Sequence, residues 1–295
     1  MSAISSNKPN RLPAVFKEKV WGRTDLSPWF GNESRKIGEV WFEADLPLLV
    51  KFVFTSEKLS IQVHPDDAFA AVHENSPGKT EMWYVLKADP GASIALGFRE
   101  HLSVERLREA ALSGEIERLL HWIPVRAGDT FFVPAGTVHA LGAGLAVCEI
   151  QQQSDITYRF YDYGRPRELH VEKGLEAVKI HTNAGKVVRP ADSASNILVR
   201  SPFFQVEKMR LREPLQAEVL LDSPHVVVAV NGSGIVESQG MEPISFATGD
   251  AVVIPACAGR YTVRPQWDLD IMRMSLPSAP VTEPQTELPQ SVSVR

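Results

Sequence analysis

Gly128–Leu141 reads GDTFFVPAGTVHAL. Its Gly-Asp pair makes a tight turn, and the apolar run Thr130 to Val133 reads as a short buried strand. Pro134-Ala135-Gly136 turns the chain again, and His139 enters the interior on the next strand. A related stretch, GDAVVIPACAGRYTV, begins at Gly249. Both copies have Gly-Asp, four apolar or small residues and then Pro-Ala, with the Pro six residues after the Gly. Eleven residues after each Gly stands His139 in the first copy and Arg260 in the second. One strand–turn–strand plan used twice predicts two barrels, the second without a metal-binding histidine.

Outward from these two stretches, short apolar or alternating runs separated by Gly, Pro and Asn dominate, so the chain reads as mainly β. Three short helices interrupt it. Ser103 is a suitable N-cap, Leu102, Leu107, Ala110 and Ala111 recur at helical spacing, and Ser113-Gly114 ends that run. A shorter helix is expected over Glu115 to Leu120, and another over residues 66–75, with Asp66 or Asp67 at its start. The expected organisation is a metal-binding N-terminal barrel over 1–165, a linker region over 166–195, a C-terminal barrel without metal over 196–275, and a flexible tail over 276–295, where Pro, Ser, Thr and Gln displace apolar residues.

The 295 residues suffice for two cores, and 44% hydrophobic with 23% charged residues is ordinary for a soluble globular protein. A net charge of −5 gives no reason to expect nucleic acid or an anionic membrane as partner. Cys148 and Cys257 make no disulfide framework and are expected as two buried thiols in a reducing compartment. The N-terminus lacks the apolar stretch of a signal peptide, and no run approaches the roughly eighteen apolar residues of a membrane helix. Cytoplasmic location follows as the expectation; oligomeric state is left open.

Four residues carry the chemistry. Gln62 and His64 in LSIQVHPDD lie two apart in an alternating run and so share a face on a strand. Glu81 opens the strand-like run Met82 to Leu86, and His139 completes the set. Any one histidine alone on an apolar strand reads as a core residue. Together, two imidazoles, a carboxylate and an amide oxygen make a ligand set for one divalent metal, most naturally zinc. Lys79, two before Glu81, shares its face in an extended chain. If residues 149–159 form one strand, Glu149, Gln151, Gln153, Asp155, Thr157 and Arg159 make a polar stripe, either a solvated face or the wall of a cavity. Lys79 and Arg159 then supply the local positive charge that an acidic protein needs to hold a phosphorylated substrate. Arg165 and Arg167, in RPRE, read as a solvated loop.

GDTFFVPAGTVHAL resembles the second sequence motif of cupins. QVHPDD, KTEMWY, VPAGTVHAL and SDITYRFYD, in this order, resemble the type I mannose-6-phosphate isomerases in their short bacterial and archaeal form. VWG at Val20–Gly22 and IGEVW at Ile37–Trp41 resemble further segments of that family. The likeness covers most of residues 15–275. It implies a fold of two cupin-type, jelly-roll barrels with a few short helices inserted in the first. It also implies zinc on Gln62, His64, Glu81 and His139, and substrate facing Lys79 and Arg159. The chain departs from the family at Arg23, where a second Gly is common, at Val40 within IGEVW, and at Gly78, where some longer relatives carry a His; proton transfer here must use another group.

The expected reaction interconverts mannose 6-phosphate and fructose 6-phosphate through a cis-enediol. Negative charge grows on the carbonyl oxygen, and a metal as Lewis acid stabilises it. With one anionic ligand against three neutral ones, the site keeps a net positive charge. Asp155, Glu149 and a metal-bound hydroxide are the candidates for the proton-moving base, and the sequence does not choose among them; Glu149 is also placed to bind substrate. Two rival readings are a non-catalytic sugar-binding or regulatory cupin, which predicts a damaged ligand set, and a non-haem iron oxygenase, which the fourth ligand and the Lys79/Arg159 pair argue against.

Overall fold

The computed structural model describes residues 8–188, 196–220, 223–277, 281 and 283–288. The two Gly-Asp turns set its symmetry. Gly128 and Gly249 have φ of 93° and 90°, a left-handed conformation that only glycine adopts without strain. In each turn the Asp carboxylate accepts a backbone N–H three residues earlier, Asp129 from Arg126 at 3.0 Å and Asp250 from Ala247 at 2.8 Å. The glycine N–H of each donates to a facing strand, Gly128 to Val85 O at 2.8 Å and Gly249 to Ala229 O at 2.9 Å. The repeat read in the sequence is thus a repeat of hydrogen bonds.

Each copy builds a barrel from a large and a small antiparallel sheet. In the first, the large sheet runs Ala14–Asp25, Asn32–Phe42, Leu48–Thr55, Leu145–Gln152, Glu81–Ala88, Thr130–Val133, Gly185–Val187, Thr286–Glu287. The small one runs Tyr158–Tyr161, Ile61–Val63, His139–Leu141, Ser93–Phe98, Leu120–Pro124. In the second barrel, the large sheet runs Asn10–Arg11, Ala251–Ile254, His225–Asn231, Leu269–Ser275, Gln205–Leu211, Ile197–Arg200. Its small sheet runs Leu215–Glu218, Arg260–Pro265, Ser233–Ser238, Ile244–Ala247. The fold is mainly β and of cupin type. The two large sheets pack against each other through one shared core, in which Phe52, Phe54, Cys148 and Ile150 of the first barrel meet Val206, Val226, Met272 and Met274 of the second. Each barrel also has its own interior, around Trp83 and Phe131 in the first and Val227 and Phe246 in the second.

The helices form where local signals place them. Helix α1, Asp67–His73, starts at Asp66, whose carboxylate accepts from Phe69 N. Helix α2, Val104–Ser113, is capped by Ser103 and stopped by Gly114 in the left-handed conformation. Helix α3 covers Ile116–Leu119. The apolar sides of α2 and α3 pack on the small sheet of the first barrel.

Other regions differ from the sequence expectation. The stretch 166–195 carries helix α4, Val171–Ala177, packed in the same cluster as α2, and the strand Gly185–Val187, which pairs with Thr130–Val133. Within 276–295, Thr286–Glu287 pairs with that strand, and at the other end of the chain Asn10–Arg11 pairs with the second barrel. Residues 149–159 are not one strand: Leu145–Gln152 ends in the large sheet, and after a loop the chain enters the small sheet at Tyr158. A chain that changes sheets must turn a corner, and Gln153-Ser154-Asp155 makes it. Cys148 is buried, whereas Cys257 is exposed on the short turn Ala256–Ala258.

Candidate active site

The small sheet of the first barrel aligns most of the site by register. Gln62, on the strand Ile61–Val63, has His139 opposite it on one side and Arg159 on the other. His64 follows directly. Glu81 comes from the large sheet, where it faces Val133 and Gln151. The donor atoms of His64, Glu81 and His139 all lie within 4.8 Å of one another, and all three residues are buried. His64 Nε2 is 3.5 Å from one Glu81 oxygen and His139 Nε2 is 3.4 Å from the other.

The tautomers suit a metal. His64 Nδ1 donates to Ile156 O at 2.7 Å and His139 Nδ1 to Thr137 O at 2.9 Å, which leaves both Nε2 lone pairs turned to Glu81. Burial, with Lys79 next, drives the His64 pKa well below its usual value, and burial takes His139 to about 4, so both rings are neutral ligands. Gln62 reaches the group beside His139. Its Nε2 is 3.3 Å from His139 Nε2 while its Oε1 accepts from Ser60 Oγ at 2.9 Å, and rotating the amide exchanges the two atoms. The set also attracts positive charge already. The Lys79 ammonium hydrogen-bonds Glu81 Oε2 and stands 3.0 Å from His64 Nε2. Burial opposes its charge, but Glu81 and Glu149 outweigh burial and hold its pKa above the ordinary lysine value. The residues present fit a divalent cation.

A cavity of about 210 Å³ adjoins this group, lined by Gln62, Lys79, Glu149, Asp155, Thr157 and Arg159 among others. Four residues of the polar stripe, Glu149, Asp155, Thr157 and Arg159, therefore line a wall built from two strands and a loop, whereas Gln151 is buried against Ser154 O and Gln153 is exposed. Glu149 is deeply set. Its Oε2 accepts from Trp83 Nε1 at 3.0 Å, and burial, reinforced by Glu81, raises its pKa. Asp155 sits at the mouth with its side chain 64% exposed. Arg159 donates to Glu168 O at 2.7 Å, while its buried Nε has no partner among the described residues. Burial and the neighbouring Arg167 lower its pKa, the mark of a guanidinium short of anions.

Several lining residues escaped the sequence reading, Lys51 and Arg167 among them. Lys51, 2% exposed, lies 3.5 Å from Asp155, 3.7 Å from Glu149 and over the Trp41 ring at 4.2 Å. Its signal was a lone charge in the apolar run LLVKFVFT. Arg167 lines the cavity rather than a solvated loop, because buried Asp162 grips it at 2.6 Å through both carboxylate oxygens and Arg165 at 2.7 Å. Larger hollows, of about 710 and 330 Å³, lie in the second barrel and touch none of these residues.

Two barrels joined back to back, one holding a buried His/Glu/His group beside a polar cavity, define a metal-binding protein of the two-barrel cupin class. Sequence relatives make this specific. The chain is 39% identical over 265 residues to the mannose-6-phosphate isomerase of Streptococcus mutans serotype c, covering 86% of this chain and 81% of that one. It is 31% identical over 308 residues to the mannose-6-phosphate isomerase ManA of Bacillus subtilis, covering 87% and 96%. The crystal structure of the mannose 6-phosphate isomerase from Bacillus subtilis superposes with a TM-score of 0.79 at 29% identity, over 91% of this chain and 99% of that one. A phosphomannose isomerase from Salmonella typhimurium shares the fold, with a TM-score of 0.71 at 14% identity, over 91% and 99%. No protein-family model matches. The chain belongs to the mannose-6-phosphate isomerase family and is an aldose–ketose isomerase. Among the described residues no helix is long and apolar enough to cross a membrane.

Proposed function

We propose that this chain interconverts mannose 6-phosphate and fructose 6-phosphate through a cis-enediol, with one divalent metal, zinc by its donor set, on His64, Glu81, His139 and Gln62. The observation that carries the reading is the convergence of two Nε2 lone pairs and a carboxylate from two different sheets at the head of a polar cavity. When bound, the metal supplies positive charge against the charge that builds on the substrate's carbonyl oxygen. The protein's own residues do the rest. Lys79, lying against Glu81, hydrogen-bonds the sugar at its reacting end. Asp155 stands free at the mouth, 3.5 Å from Lys51 Nζ, and moves the proton between C2 and C1. Glu149, its Oε2 committed to Trp83, holds Lys51 and Lys79 in place and accepts from the sugar at Oε1. The phosphate falls to Arg159, whose buried Nε has no partner among the described residues, with Arg167, held by Asp162, beside it.

Metal analysis with a coupled assay on mannose 6-phosphate tests this. One metal per chain, and activity lost to a chelator and restored by zinc, is the expected result. Turnover that survives complete chelation ends the metal-dependent reading. Full metal without turnover ends the substrate assignment.

A further inference from the structure

The two barrels can be superposed residue by residue through their ladders. Glu81 faces Val133, five residues after Gly128, and His225 faces Ile254, five residues after Gly249. Glu149 lies between Trp83 and Lys51, and Arg273 lies between Val227 and Glu207. His225 therefore stands at the position of Glu81, Arg273 at that of Glu149, and Glu207 at that of Lys51. The ion pair persists, partly buried and with its polarity reversed: Arg273 Nη2 is 2.7 Å from Glu207 Oε2 and Nε is 2.9 Å from the same oxygen.

This layer opens into a cavity of about 330 Å³, within the range of small-ligand sites and larger than the one beside the His/Glu/His group. Its wall includes Gln205, Glu207, Ser223, His225, Arg273 and Ser275. Buried polar groups are costly unless satisfied, and these are prearranged. Arg273 hydrogen-bonds Tyr261, and the Tyr261 hydroxyl is 2.8 Å from His225 Nδ1. With the hydroxyl donating to Nδ1, His225 keeps its proton on Nε2 as a donor. Burial holds its pKa down to about 4, so the ring is uncharged at neutral pH. Glu207 spends only Oε2 on Arg273, so Oε1 remains an acceptor. Gln205 gives its carbonyl oxygen to Arg200, so its amide NH2 remains a donor.

We infer that the second barrel holds a separate binding site for an uncharged polyhydroxylated molecule of monosaccharide size. The wall offers both donors and acceptors, which suits hydroxyl groups, each of which can both give and accept. A phosphosugar does not suit it: Arg273 is already paired with Glu207, and Glu218 adds a second carboxylate to the wall. A metal does not suit it either, because a guanidinium cannot shed its proton to make room. The inference rests on this cavity alone and is independent of the isomerase mechanism.

The test is calorimetric titration of the full chain with D-mannose and, separately, with mannose 6-phosphate. The variants are Glu207→Gln/Arg273→Met, which removes both charges together, and His225→Phe. Saturable D-mannose binding that weakens at least tenfold in both variants, with kcat/KM for mannose 6-phosphate kept within twofold, is the expected result. Three outcomes overturn the site: no saturable binding of D-mannose, binding unchanged in the variants, or mannose 6-phosphate filling the same site as tightly. If thermal melting shows the double variant unfolded, His225→Phe with Gln205→Leu carries the same comparison.

Discussion

The two barrels share the parts that make a barrel and differ in the layer that makes a site. Both keep the positive-φ glycine, the aspartate that accepts from three residues back, and the matching N–H donation into the facing strand. Both fill their interiors with Val, Ile, Leu and Phe. Between these constants, three polar positions of one layer have changed: Glu81 to His225, Glu149 to Arg273, Lys51 to Glu207. Among the described residues, only the first barrel brings a carboxylate together with two neutral imidazoles. The second has placed a permanent cation in that layer and balanced it with a carboxylate. The turns and apolar faces thus specify the architecture, and the polar layer is free to reverse its charges as long as each buried group keeps a partner.

The sharpest way to break this comparison is at the ligands. His139→Ala is expected to take metal from one per chain to near zero and to cut kcat/KM on mannose 6-phosphate by at least about a hundredfold, since even outer-shell changes at metal sites cost 10–100-fold. His64→Ala should match it, while circular dichroism stays close to the parent. Full metal occupancy in His139→Ala would remove the first barrel's claim to the site.

The reversed ion pairs give the next largest effect. Arg273→Ala leaves the Glu207 carboxylate, 15% exposed, without its guanidinium. Breaking a buried pair on one side costs about 3–5 kcal/mol, and the partial exposure here lowers that to roughly 2–3. Lys51→Met should cost less, because Glu149 keeps Trp83 Nε1 at 3.0 Å and Lys79 at 3.8 Å. Urea unfolding of the two variants decides it; a larger loss for Lys51→Met would show that the pairs are not equivalent.

Within the first barrel, Lys79 lies against Glu81, whereas Arg159 keeps a buried Nε without a partner among the described residues, and kinetics should separate them. Arg159→Met is expected to raise KM for mannose 6-phosphate more than about tenfold, the loss of one charge-assisted contact, with a smaller change in kcat. Lys79→Met should do the reverse. A KM effect confined to Lys79→Met would move the phosphate to the metal end.

What the sequence disclosed follows from range. Turn and cap chemistry is local, so both Gly-Asp turns, helix α2 between Ser103 and Gly114, and the start of α1 at Asp66 were legible. The grouping of His64, Glu81 and His139 was legible because their motifs are compact. Lys51 was not, since its role depends on pairing with Glu149 across a sheet, a contact nearly a hundred residues distant that no local pattern encodes. The same holds for His225, whose equivalence to Glu81 appears only through the ladder, and for Asn10–Arg11, which crosses to the second barrel. The break after Gln152 had a local signal in Gln153-Ser154-Asp155, and the polar alternation across it concealed the corner.

Arg260 is the smallest effect expected and the most specific check on the comparison. Counting eleven residues from the Gly aligns it with His139, a position from which an arm could reach toward the first site. The ladder gives another answer. The chain makes a short turn at Ala256–Ala258, and Gly259 follows at φ 57°. The next strand begins in step, at Arg260, but with its faces exchanged, so Tyr261, 3% exposed, points inward toward His225. Arg260 points outward, its side chain 88% exposed and 3.6 Å from Glu218. It lines an outer hollow and not the cavity beside Glu81. An exposed pair of this kind contributes little in high dielectric. Arg260→Ala should therefore leave one metal per chain and a KM for mannose 6-phosphate within about twofold of the parent, as surface substitutions generally do. A tenfold rise in KM would restore the arm and require the second barrel to reach the first barrel's substrate. A second bound metal with ligands from residues 223–265 would show that the charge-reversed layer is not silent toward cations.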